Sequence, residues 1–301
     1  MTIAPGSPVP VPSPRGVVMP IGGGEAKTGR REVLQRFVRH CGSSGARIAV
    51  VPTASSLGPE IIDAYRAVFT HLGAADVVGV RPESRVEAAD PGLAAVLHDV
   101  SGIFLTGGNQ LRLSQIVGGT LFGDTVRAVN AAGTTVGGTS AGASILSSHM
   151  VAFGSGGATP KQRMSTLAAG LALVEGCVID QHFDQRNRYG RLLSLVAQSP
   201  ALLGIGIDED TGAVIGADDV LEVVGRGSVT LLDGRHLVTN AYEAKRTAPL
   251  LVSGAVVHVL PSGCRFDLAN RELVGRPPRP ARIEASDLDE LDQLSATAMS
   301  E

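Results

Sequence analysis

A serine lies at the centre of Gly138-Thr139-Ser140-Ala141-Gly142, which has the G-x-S-x-G pattern of a nucleophile elbow. In such an elbow the serine lies at a strained turn between a strand and a helix, so small neighbours are required. The backbone N–H of Ala141 would then be free to stabilise an oxyanion. Because the chain contains 38 glycines, the pattern can also arise by chance. It indicates acyl chemistry only if a base and an acid accompany Ser140.

A serine nucleophile needs a base within hydrogen-bond reach and an acceptor that orients the base. Of the seven histidines, only His182 directly follows a predicted strand and is surrounded by Asp, Gln and Arg residues. The next predicted strand, Leu203 to Ile207, ends in the acidic run Asp208-Glu209-Asp210. Sequence spacing alone does not choose among these three carboxylates. We therefore expect His182 to be the base and one of the three acids to orient it.

Three arginines, Arg186, Arg188 and Arg191, lie within ten residues of His182. The planar guanidinium group suits carboxylates, so the cluster favours a substrate rich in carboxylate groups. The alternative is that these arginines lie on the exposed face of a helix and bind no substrate. A second oxyanion donor is expected from the glycine loop after another strand, at Gly108.

Composition indicates a globular protein and gives no sign of a nucleic-acid or membrane partner. Of 301 residues, 44% are hydrophobic, and 26 basic against 29 acidic residues give a net charge of −3. The three cysteines are widely spaced without a C-x-x-C pair, which predicts neither a disulfide framework nor a zinc site. No run approaches the roughly 20 apolar residues of a membrane span. Residues 1–15 lack the features of a secretory signal, so we expect a cytoplasmic protein.

Strand and helix patterns alternate through the first half of the chain. Apolar runs such as Arg47 to Pro52 are typical of parallel strands covered on both faces, and segments such as Ile61 to Leu72 have helical spacing. This alternation predicts an α/β fold with a mostly parallel, doubly wound sheet and flanking helices. Sites in such sheets lie at the carboxyl ends of the strands. That rule gathers four loops at one edge, namely Gly22–Glu25, Thr53–Ser56, Thr106–Gln110 and the turn at Ser140.

The C-terminal part has the pattern of antiparallel strands. Val220 to Val224 and Ser228 to Leu232, joined by Gly225-Arg226-Gly227, are interpreted as a β-hairpin, and Val256 to Leu260 as a further strand. These strands are expected to extend the sheet at one edge. We expect a single α/β domain over residues 16–275, a flexible leader over 1–15, and a polar, mobile tail over 276–301.

Four stretches together resemble the cyanophycinases, serine peptidases related to the aspartyl dipeptidases called peptidase E. They are Thr106–Gln110, Gly137–Ser144, Asp180–Leu192 and Gly206–Thr211. The block D-Q-H-F-x-Q-R-x-R-x-x-R-L is far more specific than the elbow, and the resemblance runs in order from about Gly16 to Arg271. It implies a fold like that of class I glutamine amidotransferases. An amidotransferase activity is disfavoured because the elbow carries a serine and no cysteine lies near it in sequence.

The resemblance implies hydrolysis of cyanophycin, an aspartate-backbone polymer with arginine on each β-carboxyl, to β-aspartyl-arginine dipeptides. Ser140 then corresponds to the nucleophile, His182 to the base and Glu209 to its orienting acid, and no cofactor or metal is implied. Asp180 would receive a substrate guanidinium, while arginines would hold carboxylates. Relatives are often homodimers. The family's substrate pocket corresponds to Gln110, Asp180, Gln181, Arg186, Arg188 and Arg191.

Two other functions compete with this one. The same serine would serve a dipeptidase acting on small aspartyl or isoaspartyl peptides. A non-catalytic binding module is disfavoured because every expected triad position is occupied. Asn109 stands where an Asp is expected in the family. This departure leaves the chemistry intact, but it leaves the fine substrate preference open.

Overall fold

The computed structural model describes residues 14–277. The predicted leader and tail therefore lie almost wholly outside the described residues. Arg15 is an exception, because its guanidinium donates to the carbonyl of Leu173 at 3.0 Å and pairs with Asp219 at 2.6 Å. These contacts fix the chain just before the first strand.

The described chain alternates strands and helices through its first half and is rich in strands after residue 146. The strands are β1 (Val18–Ile21), β2 (Arg47–Val51), β3 (Asp76–Gly79), β4 (Gly102–Leu105), β5 (Thr135–Thr139), β6 (Ser147–Gly154), β7 (Ser165–Ala169), β8 (Val174–Gln181), β9 (Leu203–Ile207), β10 (Thr211–Ile215), β11 (Val220–Gly225), β12 (Ser228–Asp233), β13 (Val238–Thr239), β14 (Val252–Ser253), β15 (Val256–Pro261), β16 (Arg265–Asp267) and β17 (Glu272–Gly275). The α-helices are α1 (Glu32–His40), α2 (Glu60–His71), α3 (Arg85–Ala88), α4 (Pro91–Ala95), α5 (Gln110–Val117), α6 (Leu121–Ala131), α7 (Ala141–Ser144) and α8 (Tyr189–Gln198), and Ser43–Gly45 and Val96–Asp99 are short 3-10 helices.

A nine-stranded sheet combines the five strands of the first half with four later strands, in the order β17-β16-β11-β10-β1-β5-β4-β2-β3. The five strands from β1 to β3 in this order pair in parallel. The other four, β10, β11, β16 and β17, are antiparallel and extend one edge. The predicted α/β fold, with a parallel sheet, flanking helices and antiparallel strands at one edge, is therefore confirmed.

The C-terminal strands also build a second sheet, which sequence patterns did not predict. Its six strands have the order β15-β12-β9-β8-β6-β7. The predicted hairpin of β11 and β12 is wrong, because β11 pairs with β10 and β16 while β12 pairs with β9 and β15. In the link between them, Arg226 N–H donates to the Asp210 carbonyl at 2.9 Å and Gly227 N–H to Thr211 Oγ1 at 2.8 Å. These bonds direct the chain from one sheet to the other.

Successive side chains of a central strand belong alternately to two apolar clusters. In β2, Ala49 and Val51 belong to the larger cluster, while Ile48 and Val50 belong to a second cluster that includes Phe37 and other residues of α1 and α2. This two-residue period follows from the pleat of the strand. The larger cluster contains side chains from both sheets, so the sheets share one core. No helix within residues 14–277 is both long and apolar enough for a bilayer crossing.

Candidate active site

Ser140 occupies a tight corner between β5 and α7. Its backbone has φ 52° and ψ −111°, a strained conformation for a residue other than glycine. Its N–H donates to the Ile21 carbonyl at 3.0 Å, which ties the corner to the end of β1. The elbow geometry expected from the sequence is therefore present, and it holds the serine side chain half-exposed beyond the carboxyl end of a buried strand.

Ser140, His182 and Glu209 form a hydrogen-bonded chain. Ser140 Oγ lies 2.9 Å from His182 Nε2, and His182 Nδ1 lies 2.5 Å from Glu209 Oε1. The three residues follow β5 of the nine-stranded sheet and β8 and β9 of the six-stranded sheet. The hydrogen-bonded triad therefore forms where the two sheets meet. With the Nδ1 proton directed to Glu209, Nε2 accepts the hydroxyl proton of Ser140. The geometry is that of a serine nucleophile, a base and an orienting acid.

The structure distinguishes Glu209 from its two acidic neighbours. Asp208 accepts hydrogen bonds from the backbone and hydroxyl of Ser228, at 2.9 and 2.8 Å. Asp210 accepts from the backbone N–H of Ala26 at 2.9 Å. Both carboxylates therefore hold loops, and only Glu209 reaches the imidazole of His182.

The loop after β1 supports the base. His182 N–H donates to the Gly22 carbonyl at 2.7 Å. Gly23 has φ 97°, and a Cβ placed on it would lie 2.3 Å from Cε1 of the His182 ring. Only glycine combines this left-handed backbone with such close contact. The loop therefore fixes one side of the imidazole.

Burial keeps the imidazole of His182 neutral. It lowers the pKa of His182 below the ordinary 6.5, the hydrogen bond to Glu209 raises it, and the charge of Arg186 lowers it again. The net effect is a lowered pKa. A neutral imidazole at neutral pH is the form that a general base requires.

Backbone of two segments, Ala141 and the Gly107-Gly108 turn, lies close to the serine. Ala141 is the first residue of α7, so its N–H has no carbonyl partner within the helix. Gly107 packs on Ser140, because its Cβ position is 3.3 Å from the Cβ of the serine. Gly108 follows with φ 144°, and a Cβ there would lie 2.0 Å from the Ala54 carbonyl oxygen. The Gly107-Gly108 turn thus approaches Ser140 as an oxyanion loop must.

A cavity of about 650 Å³ lies beside this turn. Among the predicted site residues it is lined by Gly108, Gln110, Arg188 and Arg191, together with Ala152, Phe153 and Gly154 of β6. Gln110 Nε2 donates to the Val151 carbonyl at 2.7 Å, which fixes the amide against that strand. The other predicted pocket residues, Asp180, Gln181 and Arg186, do not line the cavity.

Asp180 is fully buried, with no exposed surface. Arg191 donates through Nε to Asp180 Oδ2 at 2.8 Å and through Nη2 to Oδ1, and Arg188 Nη1 reaches Oδ1 at 3.2 Å. The predicted contact between Asp180 and a substrate guanidinium gains no support from this arrangement, because both carboxylate oxygens bond arginines of the chain. Asp180 orients two guanidinium groups at the wall of the cavity instead. Burial lowers the pKa of Arg188 to about 10, which leaves it charged at neutral pH.

Gln181 and Arg186 lie on either side of this network. Gln181 is buried, and its Oε1 accepts from Arg188 Nη1 at 3.0 Å. Arg186 is exposed and acts on His182 through its charge. Asn109 caps α5, because its Oδ1 accepts from the Arg112 N–H at 3.0 Å, a bond that an aspartate would make equally well.

Comparison with known proteins identifies a family over the part of the chain that contains Ser140, His182 and Glu209. A family model described as Peptidase family S51 matches residues 18–223, more than half of the chain. The chain belongs to this family. This S51 peptidase is 38% identical over 255 residues to the cyanophycinase of Geminocystis herdmanii, covering 84% of this chain and 94% of that relative. It is 40% identical over 261 residues to the cyanophycinase of Trichormus variabilis, covering 85% and 87%. The family resemblance inferred from the sequence is thereby confirmed.

A solved structure agrees with the fold of the S51 peptidase. The crystal structure of a peptidase from an acI-B1 actinobacterium superimposes with a TM-score of 0.59 at 20% identity, covering 81% of this chain and 97% of that one. At this identity the likeness concerns the fold alone.

Sequence patterns missed several residues of the site. A cleft of about 360 Å³ contains Ser140 and His182, and Glu25, Lys27 and Tyr65 also line it. Residues from all four predicted loops meet in this cleft, which confirms that they gather at one edge. Arg112 lines the larger cavity of the S51 peptidase. Glu25 was detectable as a carboxylate that directly follows the triple glycine after β1.

Proposed function

We propose that this S51 peptidase hydrolyses cyanophycin to β-aspartyl-arginine dipeptides through an acyl-enzyme on Ser140. The hydrogen-bonded chain of Ser140, His182 and Glu209 carries the proposal. The names of relatives at 38% and 40% identity support the substrate class. The cavity lined by arginines, which adjoins the cleft of Ser140 at Ser56 and Gly108, supports a substrate that bears carboxylates.

The reaction proceeds in two acyl-transfer steps. His182 Nε2 takes the hydroxyl proton of Ser140 as Oγ attacks the backbone carbonyl carbon of an aspartyl unit. The N–H groups of Ala141 and Gly108 stabilise the oxyanion. The C–N bond then breaks, and His182 gives its proton to the departing amine. Water, activated by the same imidazole, hydrolyses the ester and regenerates the serine.

Glu209 fixes the working tautomer of the imidazole. It accepts the Nδ1 proton and stabilises the imidazolium that forms when Ser140 loses its proton. The Glu209 backbone is held in turn, because its N–H donates to Gln185 Oε1 at 2.8 Å. Gln185 is thus a positioning residue for the acid.

The arginine cavity supplies substrate recognition. Arg188 and Arg191 place buried positive charge at the wall of the cavity, where Asp180 holds both guanidinium groups, and Gln110 adds a fixed amide. Carboxylates of the arginyl groups on the polymer match these donors. Arg186 lies outside the cavity and contributes charge near His182.

Two measurements test the proposal. A fluorophosphonate should label the wild type at Ser140 and spare Ser140→Ala, and absence of labelling in a folded wild type would contradict a serine nucleophile. A time course on the polymer should give dipeptide as the first product without intermediate oligomers. Faster turnover of small isoaspartyl peptides than of polymer would instead favour a dipeptidase.

Three further expectations remain proposals. We propose that the protein acts in the cytoplasm, as a homodimer, and that residues 16–275 fold as one domain. Sedimentation velocity on the full chain, cell fractionation and limited proteolysis test them in turn.

A further inference from the structure

A lysine lies in the cleft that contains the reacting groups. This cleft is separate from the arginine cavity, and the two meet at Ser56 and Gly108. Lys27 lines the cleft together with Ser140 and His182. No motif in the sequence drew attention to this residue, and the proposed mechanism gives it no role.

Glu25 anchors the lysine from beneath. Its carboxylate is buried and accepts hydrogen bonds from the Tyr65 hydroxyl, from Thr139 Oγ1 and from Lys27 Nζ, the last at 3.0 Å. Burial raises the pKa of Glu25, but the charge of Lys27 and the hydrogen-bond donors outweigh it and the net pKa is lowered. Glu25 is therefore ionised, and through Thr139 it is tied to the residue that precedes the nucleophile.

Lys27 contacts two side chains although it is partly exposed. Its ammonium lies 5.0 Å from the centre of the Tyr65 ring, a cation–π contact, and 39% of its side chain is open to solvent. Holding an exposed lysine in one rotamer costs side-chain conformational entropy, and normally no contact offsets that cost. Here Glu25 and Tyr65 fix the cation, and within residues 14–277 Glu25 is its one hydrogen-bond partner. An ammonium has three donors, so two remain for a ligand.

The direction of the reaction identifies that ligand. His182 gives its proton to the departing amine, so the departing unit leaves on the side of His182, in the same cleft as Lys27. In an aspartate-backbone polymer the last unit has a free backbone carboxylate, whereas in every interior unit that carboxyl is part of the next peptide bond. Because every unit also carries an arginyl carboxylate, a cation distinguishes a chain end from the interior only when it is placed at the position of the backbone carboxyl.

We propose that Lys27 is a specificity-determining residue that binds the terminal backbone carboxylate of the departing unit, with Glu25 and Tyr65 as its positioning residues. The inference rests on the proposed function, and it gives exopeptidase action a physical cause. Cleavage is confined to the last unit because only that unit offers Lys27 a free backbone carboxylate.

The test compares two short synthetic cyanophycin segments that differ only at the backbone terminus, one a free acid and the other a carboxamide. The wild type should prefer the acid by about ten- to a hundredfold in kcat/KM, the range expected for one charge-assisted hydrogen bond. Lys27→Met should reduce this preference to near one, mainly through KM. Lys27→Arg should keep part of it.

Matched variants separate recognition from folding. Lys245→Met removes an exposed lysine elsewhere and should keep the full preference. The double variant Glu25→Gln/Lys27→Met removes one negative and one positive charge, so the net charge of the cluster is unchanged. It replaces Lys27→Met in the test if the single variant is unstable. An unchanged preference in folded Lys27 variants, or an equal loss on acid and amide, would overturn the inference. If the wild type cleaves neither segment, the proposed function fails instead, so the two failures are distinguishable.

Discussion

Replacing Gly23 with alanine should damage catalysis far more than stability. The added methyl would lie 2.3 Å from His182 Cε1 and 2.5 Å from Nε2, and ordinary contact begins near 3.4 Å. The imidazole must therefore move by about 1 Å, and misplacement on that scale costs about a hundredfold in rate. The left-handed backbone at φ 97° adds strain of about 1–2 kcal/mol.

Gly29→Ala is the matched control for Gly23→Ala. Gly29 also has a positive φ, 66°, but a methyl there meets nothing within 4 Å. Both variants should lose a few degrees of Tm, while only Gly23→Ala should lose about a hundredfold in kcat/KM on cyanophycin. The assay is dipeptide release by mass spectrometry beside thermal unfolding of each variant. Wild-type activity in Gly23→Ala, or an equal loss in Gly29→Ala, would refute the close packing inferred for His182.

Three further predictions follow from the same contacts. Arg186→Gln removes a charge that lowers the pKa of His182, so the acid limb of kcat/KM should move to higher pH, which a pH–rate profile measures. Asp180→Asn leaves the guanidinium of Arg191 buried without its counter-ion and should cost about 3–5 kcal/mol in the free energy of unfolding, measured by urea denaturation; a loss below about 1 kcal/mol would contradict the network. Glu209→Gln should lower kcat about 10³- to 10⁴-fold while the fold survives, and retained activity would reject its role in orienting the imidazole.

The reacting groups were accessible to sequence analysis because each follows a buried strand. Ser140, His182 and Glu209 come after β5, β8 and β9, where functional residues of α/β sheets are expected. That β5 lies in one sheet and β8 and β9 in the other is visible only in the structure. The choice of Glu209 came from the family resemblance, since spacing treats its neighbours alike. Its physical basis is visible only in the structure, where Asp208 and Asp210 bond to backbone groups of other loops.

The second sheet and the cleft lysine were not accessible in the same way. The pattern of β11 and β12 is that of any two strands joined by a short glycine link, and the bonds that send them to different sheets come from Asp210 and Thr211. The three contacts of Glu25, with Lys27, Tyr65 and Thr139, join three separate parts of the chain. Such contacts depend on tertiary packing, which local periodicity does not encode.

The partners of Asp180 also could not be predicted from the sequence. An acid beside three arginines in sequence fits either a substrate guanidinium or the arginines of the chain itself. Burial favours the second, because the Asp180 carboxylate has no exposed surface and bonds two guanidinium groups of the chain.

The most direct test of the account is digestion of purified cyanophycin by the full chain, with Ser140→Ala beside it and mass spectrometry of the products. We expect β-aspartyl-arginine from the wild type and none above background from the folded alanine variant. Dipeptide release by Ser140→Ala at the wild-type rate, or no dipeptide from a folded wild type, would contradict it.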